Sequence, residues 1–157
     1  IEMLESGFTH VGEFHYLHND TEGARYANPA EMAGRVVAAA DATGIGLTLL
    51  PVFYAHSDFG GASPKHGQRR FLSDIDAFAK LLEASKNILP IDAVLGIAPH
   101  SLRAVTAEEL QDLLTLHPTG PIHIHAAEQV KEVEASVAFS GARPVEWLLS
   151  LLPRPRR

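Results

Sequence analysis

The segment "GPIHIHAAEQVKEVE", residues 120–134, holds two histidines alternating inside an apolar run, with a glutamate three residues beyond the second. Imidazole nitrogen is a good zinc ligand, and a catalytic zinc keeps one position open for a water whose pKa it lowers to about 7. A carboxylate placed as Glu128 is after His125 can reach that water and a leaving nitrogen and carry a proton between them, as the non-ligand glutamate of zinc deaminases does. The same residues also suit a buried strand whose histidine bonds to backbone and whose glutamate opens a helix. His-x-His is a weak signal, so spacing alone leaves both readings open. In "PHSLR", Arg103 follows His100 by three residues. A guanidinium at a strand end grips a carboxylate through two parallel hydrogen bonds. The alternative is a surface arginine beside the next helix, where a cation opposes the helix dipole. Tyr16, in "EFHYLH", can donate a hydrogen bond to a substrate or serve as an aromatic strand residue.

Such groups need elements to position them, and the chain offers a regular alternation. Residues 8–17, 45–54, 92–101 and 120–128 read as strands. The second is a nearly continuous apolar run, as expected of a strand buried on both faces. Residues 28–44 read as a helix with Asn28 as N-cap, Pro29 at its first position and Gly44 as its stop. Residues 71–87 form a second helix, and 106–118 a third, opened by a Thr106–Glu109 capping box. Two more follow in "VKEVEASVAFSG" and "RPVEWLLSLL", the latter with Pro144 near its start. This alternation predicts an α/β fold of parallel βαβ units. No Gly-x-Gly-x-x-Gly or Walker loop follows any strand, which removes direct support for a dinucleotide-binding fold. The other architecture is a partial (β/α)8 barrel; a complete one takes about 250 residues, so this chain would hold about half.

In either architecture functional groups collect past the carboxyl ends of the strands. His15, Tyr16 and His18 fall there, as do Tyr54, His56 and Asp58, then His100, Ser101 and Arg103, and finally His123, His125 and Glu128. A period of two puts His123 and His125 on one face. His56 and Asp58, in the polar loop 55–70, carry little information. His117 ends a helix, where a histidine suits the dipole.

The chain has 157 residues, 46% hydrophobic and 20% charged, with a net charge of −6 and no cysteine. That composition suits a single α/β segment and excludes disulfides and thiolate metal sites. The acidic balance argues against a nucleic-acid partner. No apolar run reaches the roughly 18 residues that a membrane span requires, and no signal peptide is visible. "IEMLESG" reads as the last turns of a helix with Gly7 as its cap, and "LLPRPRR" runs into a basic tail with too few arginines for a strong polyanion site.

Taken in order, "EFHYLH", "LTLLPVFY", "QRRF", "GIAPHSLRAV", "HIHAAEQVKEVE" and "RPVEWLL" resemble the N-formimidoylglutamate deiminases of the amidohydrolase superfamily, from about residue 7 to residue 149. The resemblance implies a partial TIM barrel in which residues 1–157 are one segment, incomplete at both ends, carrying strands 2–5. It implies a cytoplasmic enzyme of histidine breakdown, a homodimer when whole. The implied reaction is zinc-dependent hydrolysis of the formimino C=N group of N-formimino-L-glutamate to N-formyl-L-glutamate and ammonia. His125 would be a zinc ligand, Glu128 the proton shuttle, Arg103 the binder of a substrate carboxylate, and His100 and Tyr16 further substrate contacts. The family's other ligands would lie outside residues 1–157, so the segment alone is expected to be inactive. "HND" at 18–20 departs from the double histidine expected there. The competing readings are a related deaminase for another amidine or an aminopyrimidine-like substrate, which has no need of Arg103, and a non-catalytic α/β binding module.

Overall fold

The computed structural model describes residues 1–117 and 119–152; the basic tail over 153–157 lies outside them. Strand β1 (His10–His15) pairs in parallel with β2 (Gly46–Phe53), His10 opposite Gly46 and His15 opposite Pro51. β2 pairs in parallel on its other side with β3 (Val94–Leu95) and β4 (Ala98–Pro99). Thr48 faces Val94 and Val52 faces Ala98, so β3 and β4 keep one register and form a single barrel strand interrupted at Gly96 and Ile97. At the interruption the Gly96 amide donates to the Leu49 carbonyl at 2.9 Å and the Ile97 amide to the Pro121 carbonyl at 3.1 Å.

The expected strand over 120–128 is reduced to two parallel bridges, Ile97 with Ile122 and Ser101 with His125. Four steps along one side match three along the other, which is a β-bulge. Pro121 has no N–H to donate, and Ala127 turns into the left-handed region at φ +57, so regular pairing cannot continue at either end.

The helices differ from expectation mainly at their starts. Helix α1 (Glu2–Glu5) closes with the expected glycine: Gly7 has φ +88, its amide donates to the Leu4 carbonyl and that of Phe8 to the Met3 carbonyl, each at 2.9 Å. Helix α2 (Glu31–Thr43) begins later than the Asn28 cap predicted. The Asn28 side chain accepts from the Ala30 amide at 3.0 Å, a local turn that leads into the helix instead of capping it. Gly44 ends α2 at φ +73. Helix α3 (Ile75–Lys86) starts at Asp74, whose carboxylate accepts from the Ala77 amide at 2.8 Å. Phe71 lies outside α3 because its ring packs on Tyr16, centroids 4.7 Å apart. Helix α4 (Ala107–Leu116) has the expected capping box: Thr106 accepts from the Glu109 amide at 3.2 Å and Glu109 from the Thr106 amide at 2.8 Å. Helices α5 (Val130–Ser140) and α6 (Pro144–Leu151) follow.

The sheet has two faces with different contents. Outward residues Leu47, Leu49, Phe53 and Ile97 are buried against Ala33 of α2, Phe78 and Leu81 of α3, and Leu110 and Leu113 of α4. Each such side chain contributes roughly 1.5–3 kcal/mol of burial. Inward residues Leu50, Val52 and Ala98 are also buried, under Phe14 and Tyr16. β1 and the 122–125 segment lie at opposite edges of the sheet, yet the rings of Phe14 and His125 have centroids 4.3 Å apart. The sheet is therefore curled into a trough whose inner side chains meet across it, the curvature of a barrel wall.

Candidate active site

At the carboxyl end of the trough, successive strands each send one polar ring inward. Tyr16 follows β1, Tyr54 follows β2, His100 follows β4, and His125 lies on the bridged segment. His100 is at the centre: its ring centroid is 4.7 Å from Tyr54, 5.2 Å from His125 and 6.1 Å from Tyr16. Burial, reinforced by the neighbouring His125 and Arg103, lowers the His100 pKa to about 4, so its ring is neutral near pH 7. Its Nδ1 lies 3.2 Å from the Ser101 hydroxyl. The His125 amide donates to the His100 carbonyl at 3.0 Å, so the bulged pairing fixes one histidine against the other.

The turn after β4 positions Arg103. Ser101, Leu102, Ala104 and Val105 are buried around it, and the Ala104 amide donates to the Ser101 carbonyl at 2.9 Å. Anchored on both sides, the arginine projects toward the 126–129 turn, where its Nη2 donates to Glu128 Oε2 at 3.0 Å. Arg103 thus lies at the start of α5 more than that of α4, and its charge there is offset by the carboxylates of Glu128 and Glu132, 3.0 and 3.9 Å from Nη2. All five sequence-derived candidates, Tyr16, His100, Arg103, His125 and Glu128, come to one end of one face. His123 shares the face but sits deeper, over Gly12, where a Cβ would come within 3.9 Å of its ring.

Two neighbours had no assigned role: Tyr54, flagged only by its place past a strand end, and Glu132. Tyr54 packs edge-on against His100, and Gln68 donates to its phenol oxygen at 2.6 Å. Burial raises the Tyr54 pKa, partly offset by Arg103 and the Gln68 hydrogen bond. Glu132 is buried and accepts from the Ala127 and Glu128 amides at 3.3 and 2.8 Å. Its third-position place in α5 was the available signal, since a glutamate there commonly reaches back across the helix start.

Other histidines have structural roles. His56, expected to be uninformative, contacts both carboxylate oxygens of Glu109 at 3.1 and 3.0 Å and ties the long loop to the start of α4. "HND" holds the loop after β1: His18 Nε2 donates to the Val52 carbonyl at 2.8 Å, and Asn19 donates to the Arg69 and Leu72 carbonyls, each at 3.0 Å. His117 does cap α4, but burial lowers its pKa, so it sits there as a neutral ring and not as a cation complementing the dipole.

Among the described residues no three histidine, cysteine, aspartate or glutamate side chains cluster as a metal centre. His125 is exposed on the inner face and makes no side-chain hydrogen bond among the described residues. That fits one ligand of a site completed by other groups. No helix among the described residues is long and apolar enough to cross a membrane.

No family model matches the chain. The formimidoylglutamate deiminase of Pseudomonas aeruginosa is 49% identical to it over 152 residues, 94% of this chain and 33% of that protein. The 5-methylthioadenosine/S-adenosylhomocysteine deaminase of Thermodesulfovibrio yellowstonii is 31% identical over 154 residues, 96% of this chain and 29% of that protein. The crystal structure of an amidohydrolase from Brucella melitensis superposes with a TM-score of 0.95 at 60% identity, covering 97% of this chain and 34% of the other. An adenosine deaminase from Xanthomonas campestris, solved with bound zinc, shares the fold at a TM-score of 0.64 and 24% identity, covering 96% of this chain and 29% of the other. The chain spans about a third of the length of these proteins.

Proposed function

We infer the function of this chain from its membership of the amidohydrolases, among which a formimidoylglutamate deiminase matches nearly all of it. The chain forms part of a (β/α)8 barrel, and its relatives are hydrolytic deaminases and deiminases acting on C–N bonds. We propose that it supplies one wall of an active site that hydrolyses N-formimino-L-glutamate to N-formyl-L-glutamate and ammonia, a step in histidine degradation. The observation that carries this reading is the convergence of an arginine, a carboxylate and two imidazoles. Arg103 lies 3.0 Å from Glu128, and His100 lies 5.2 Å from His125, all at one strand end.

In this reading His125 contributes one ligand to a zinc ion whose remaining ligands lie outside this chain. Zinc, when bound, supplies Lewis acidity that makes water a nucleophile near neutral pH. Arg103 takes a carboxylate of the substrate through paired charge-assisted hydrogen bonds. The neutral His100 and the phenol of Tyr16 orient the amidine arm. Glu128 takes a proton from the attacking water and delivers it to the imino nitrogen, then carries the second proton from the new hydroxyl to the same nitrogen as the C–N bond breaks, so water's oxygen becomes the formyl oxygen and ammonia leaves. A cytoplasmic homodimer completes the proposal for the whole protein; sedimentation of the full-length barrel checks the dimer.

Kinetics of a full-length barrel carrying this segment test the assignment. Glu128→Gln should abolish turnover with zinc content unchanged. Arg103→Leu removes hydrogen bonds between charged groups worth about 1.5–3 kcal/mol and should raise the KM for formiminoglutamate roughly 10- to 150-fold. An unchanged KM would defeat the substrate assignment. Faster turnover of a neutral aminoheterocycle would favour the competing reading, in which Arg103 has no carboxylate to bind.

A further inference from the structure

The geometry points to Glu132 as a positioning residue that sets both Glu128 and Arg103. This rests on the proposed reading of Glu128 as proton carrier and Arg103 as carboxylate binder. Glu132 is 3% exposed, the most buried carboxylate among the described residues. A buried carboxylate is costly unless its oxygens are matched by donors. Oε1 accepts from the Ala127 amide at 3.3 Å. Oε2 accepts from the Glu128 amide at 2.8 Å and lies 3.9 Å from Arg103 Nη2.

The pattern departs from an ordinary helix cap. In a capping box the third-position glutamate returns to the amide of the N-cap residue. Gln129 is the N-cap of α5, yet the amides that Glu132 binds are those of the two residues before it. Those residues form the turn that carries Glu128. Ala127 adopts φ +57 there, the only positive φ at a non-glycine among the described residues. A Cβ disfavours that conformation, so the turn needs an external hold. Glu132 supplies it. The same carboxylate faces the guanidinium that grips Glu128, so one buried group fixes the separation between the proton carrier and the carboxylate binder. Glu132 touches neither substrate nor His125 and acts only through its two neighbours.

The test is steady-state kinetics, zinc content and thermal melting of a full-length barrel carrying this segment. Glu132→Gln keeps the size but replaces one acceptor by an NH2 group that faces another donor. It should lower kcat at least tenfold and raise the KM for formiminoglutamate several-fold, with zinc content unchanged. A plain cap would lower the melting temperature and leave kcat and KM within twofold, and that result overturns the inference. If Glu132→Gln does not fold, Glu132→Asp decides. It keeps the charge but is one methylene short of spanning both amides, and a loss of at least threefold in kcat supports the inference while a smaller change overturns it. Glu128→Gln is run alongside. If it retains turnover, the functional reading itself fails, an outcome distinct from a silent Glu132 beside an essential Glu128.

Discussion

Acid should unfold this chain through His15 and His18 in particular. Both are buried, with ring centroids 5.0 Å apart, and the pKa of each is lowered to about 4. Burial is the main cause in both. The neighbouring His18 adds to it for His15, and the Val52 carbonyl partly opposes it for His18. His18 Nε2 donates to that carbonyl, so the ring is held as the tautomer whose Nδ1 is unprotonated. Its Nδ1 and His15 Nε2 have no hydrogen-bond partner among the described residues, so a proton added at either would bring an uncompensated charge into the interior. In the unfolded chain both titrate near about 6.5. The folded pKa lies below the unfolded one, so the unfolded state takes up protons first. Stability present above pH 6.5 is therefore lost as pH falls toward 4. From pH 7 to 5.5 one such histidine costs about 1.2 kcal/mol, and the pair up to about 2.5 kcal/mol, the two being coupled. Urea titrations at the two pH values, on the wild type and on a His15→Gln/His18→Gln variant, measure this. The amide introduced by His18→Gln can still donate to the Val52 carbonyl but cannot titrate. The variant should lose about 2 kcal/mol less than the wild type over that interval. Equal losses would show that the two rings are solvated and that the burial argument is wrong.

Gly96→Ala would place a Cβ 2.5 Å from the Pro121 carbonyl oxygen and 2.6 Å from Leu50 Cδ2. The backbone oxygen cannot yield cheaply, so about 1–3 kcal/mol of stability should go, with the amides of Ile97 and His123 losing hydrogen-exchange protection while that of Leu110 keeps it. Phe78→Ala empties a fully buried site against Phe53, ring centroids 5.5 Å apart, and should cost about 3–5 kcal/mol by denaturant midpoint. The isolated chain, with His125 as its single proposed ligand, should take up less than one equivalent of zinc in titration calorimetry. Tight one-to-one binding would contradict the view that the other ligands lie elsewhere.

The parts of the fold that could be read from sequence were those whose signal is local. β2 is apolar apart from Thr48 and is buried on both faces from Leu49 to Phe53, the Thr106 capping box forms, and Gly44 ends α2 at positive φ. Most misreadings share a different cause, a partner distant in sequence; the Asn28 cap, lost to a local turn with Ala30, is the exception. Phe71 has helical company but packs on Tyr16, so α3 starts four residues after it. His56 sits in a glycine-rich loop, yet Glu109 holds it from 53 residues away. The bulge opposite His125 depends on the register of two segments that no local pattern specifies. For the candidate site, strand ends gathered many polar residues, and the resemblance to the deiminases singled out the five that share one face. Glu132 escaped because its third-position signal suggests only an ordinary helix cap, while the amides it binds lie before the N-cap.

The histidines show why position, and not abundance, carries the functional argument. One residue type here does several physically different jobs. His15 and His18 are neutral and buried behind the first strand, His56 tethers a loop, and His117 ends a helix as an uncharged ring. His100 and His125 differ from them in three respects that act together. They have inward parity, they lie at the carboxyl end, and a backbone hydrogen bond of 3.0 Å locks them to each other. The last condition separates a site from a coincidence of spacing. In the proposed reading, a substrate held by Arg103 meets both rings in a fixed relation only if the bulged pairing of Ser101 with His125 survives binding. That pairing is therefore as much a requirement of the proposed chemistry as the imidazoles themselves.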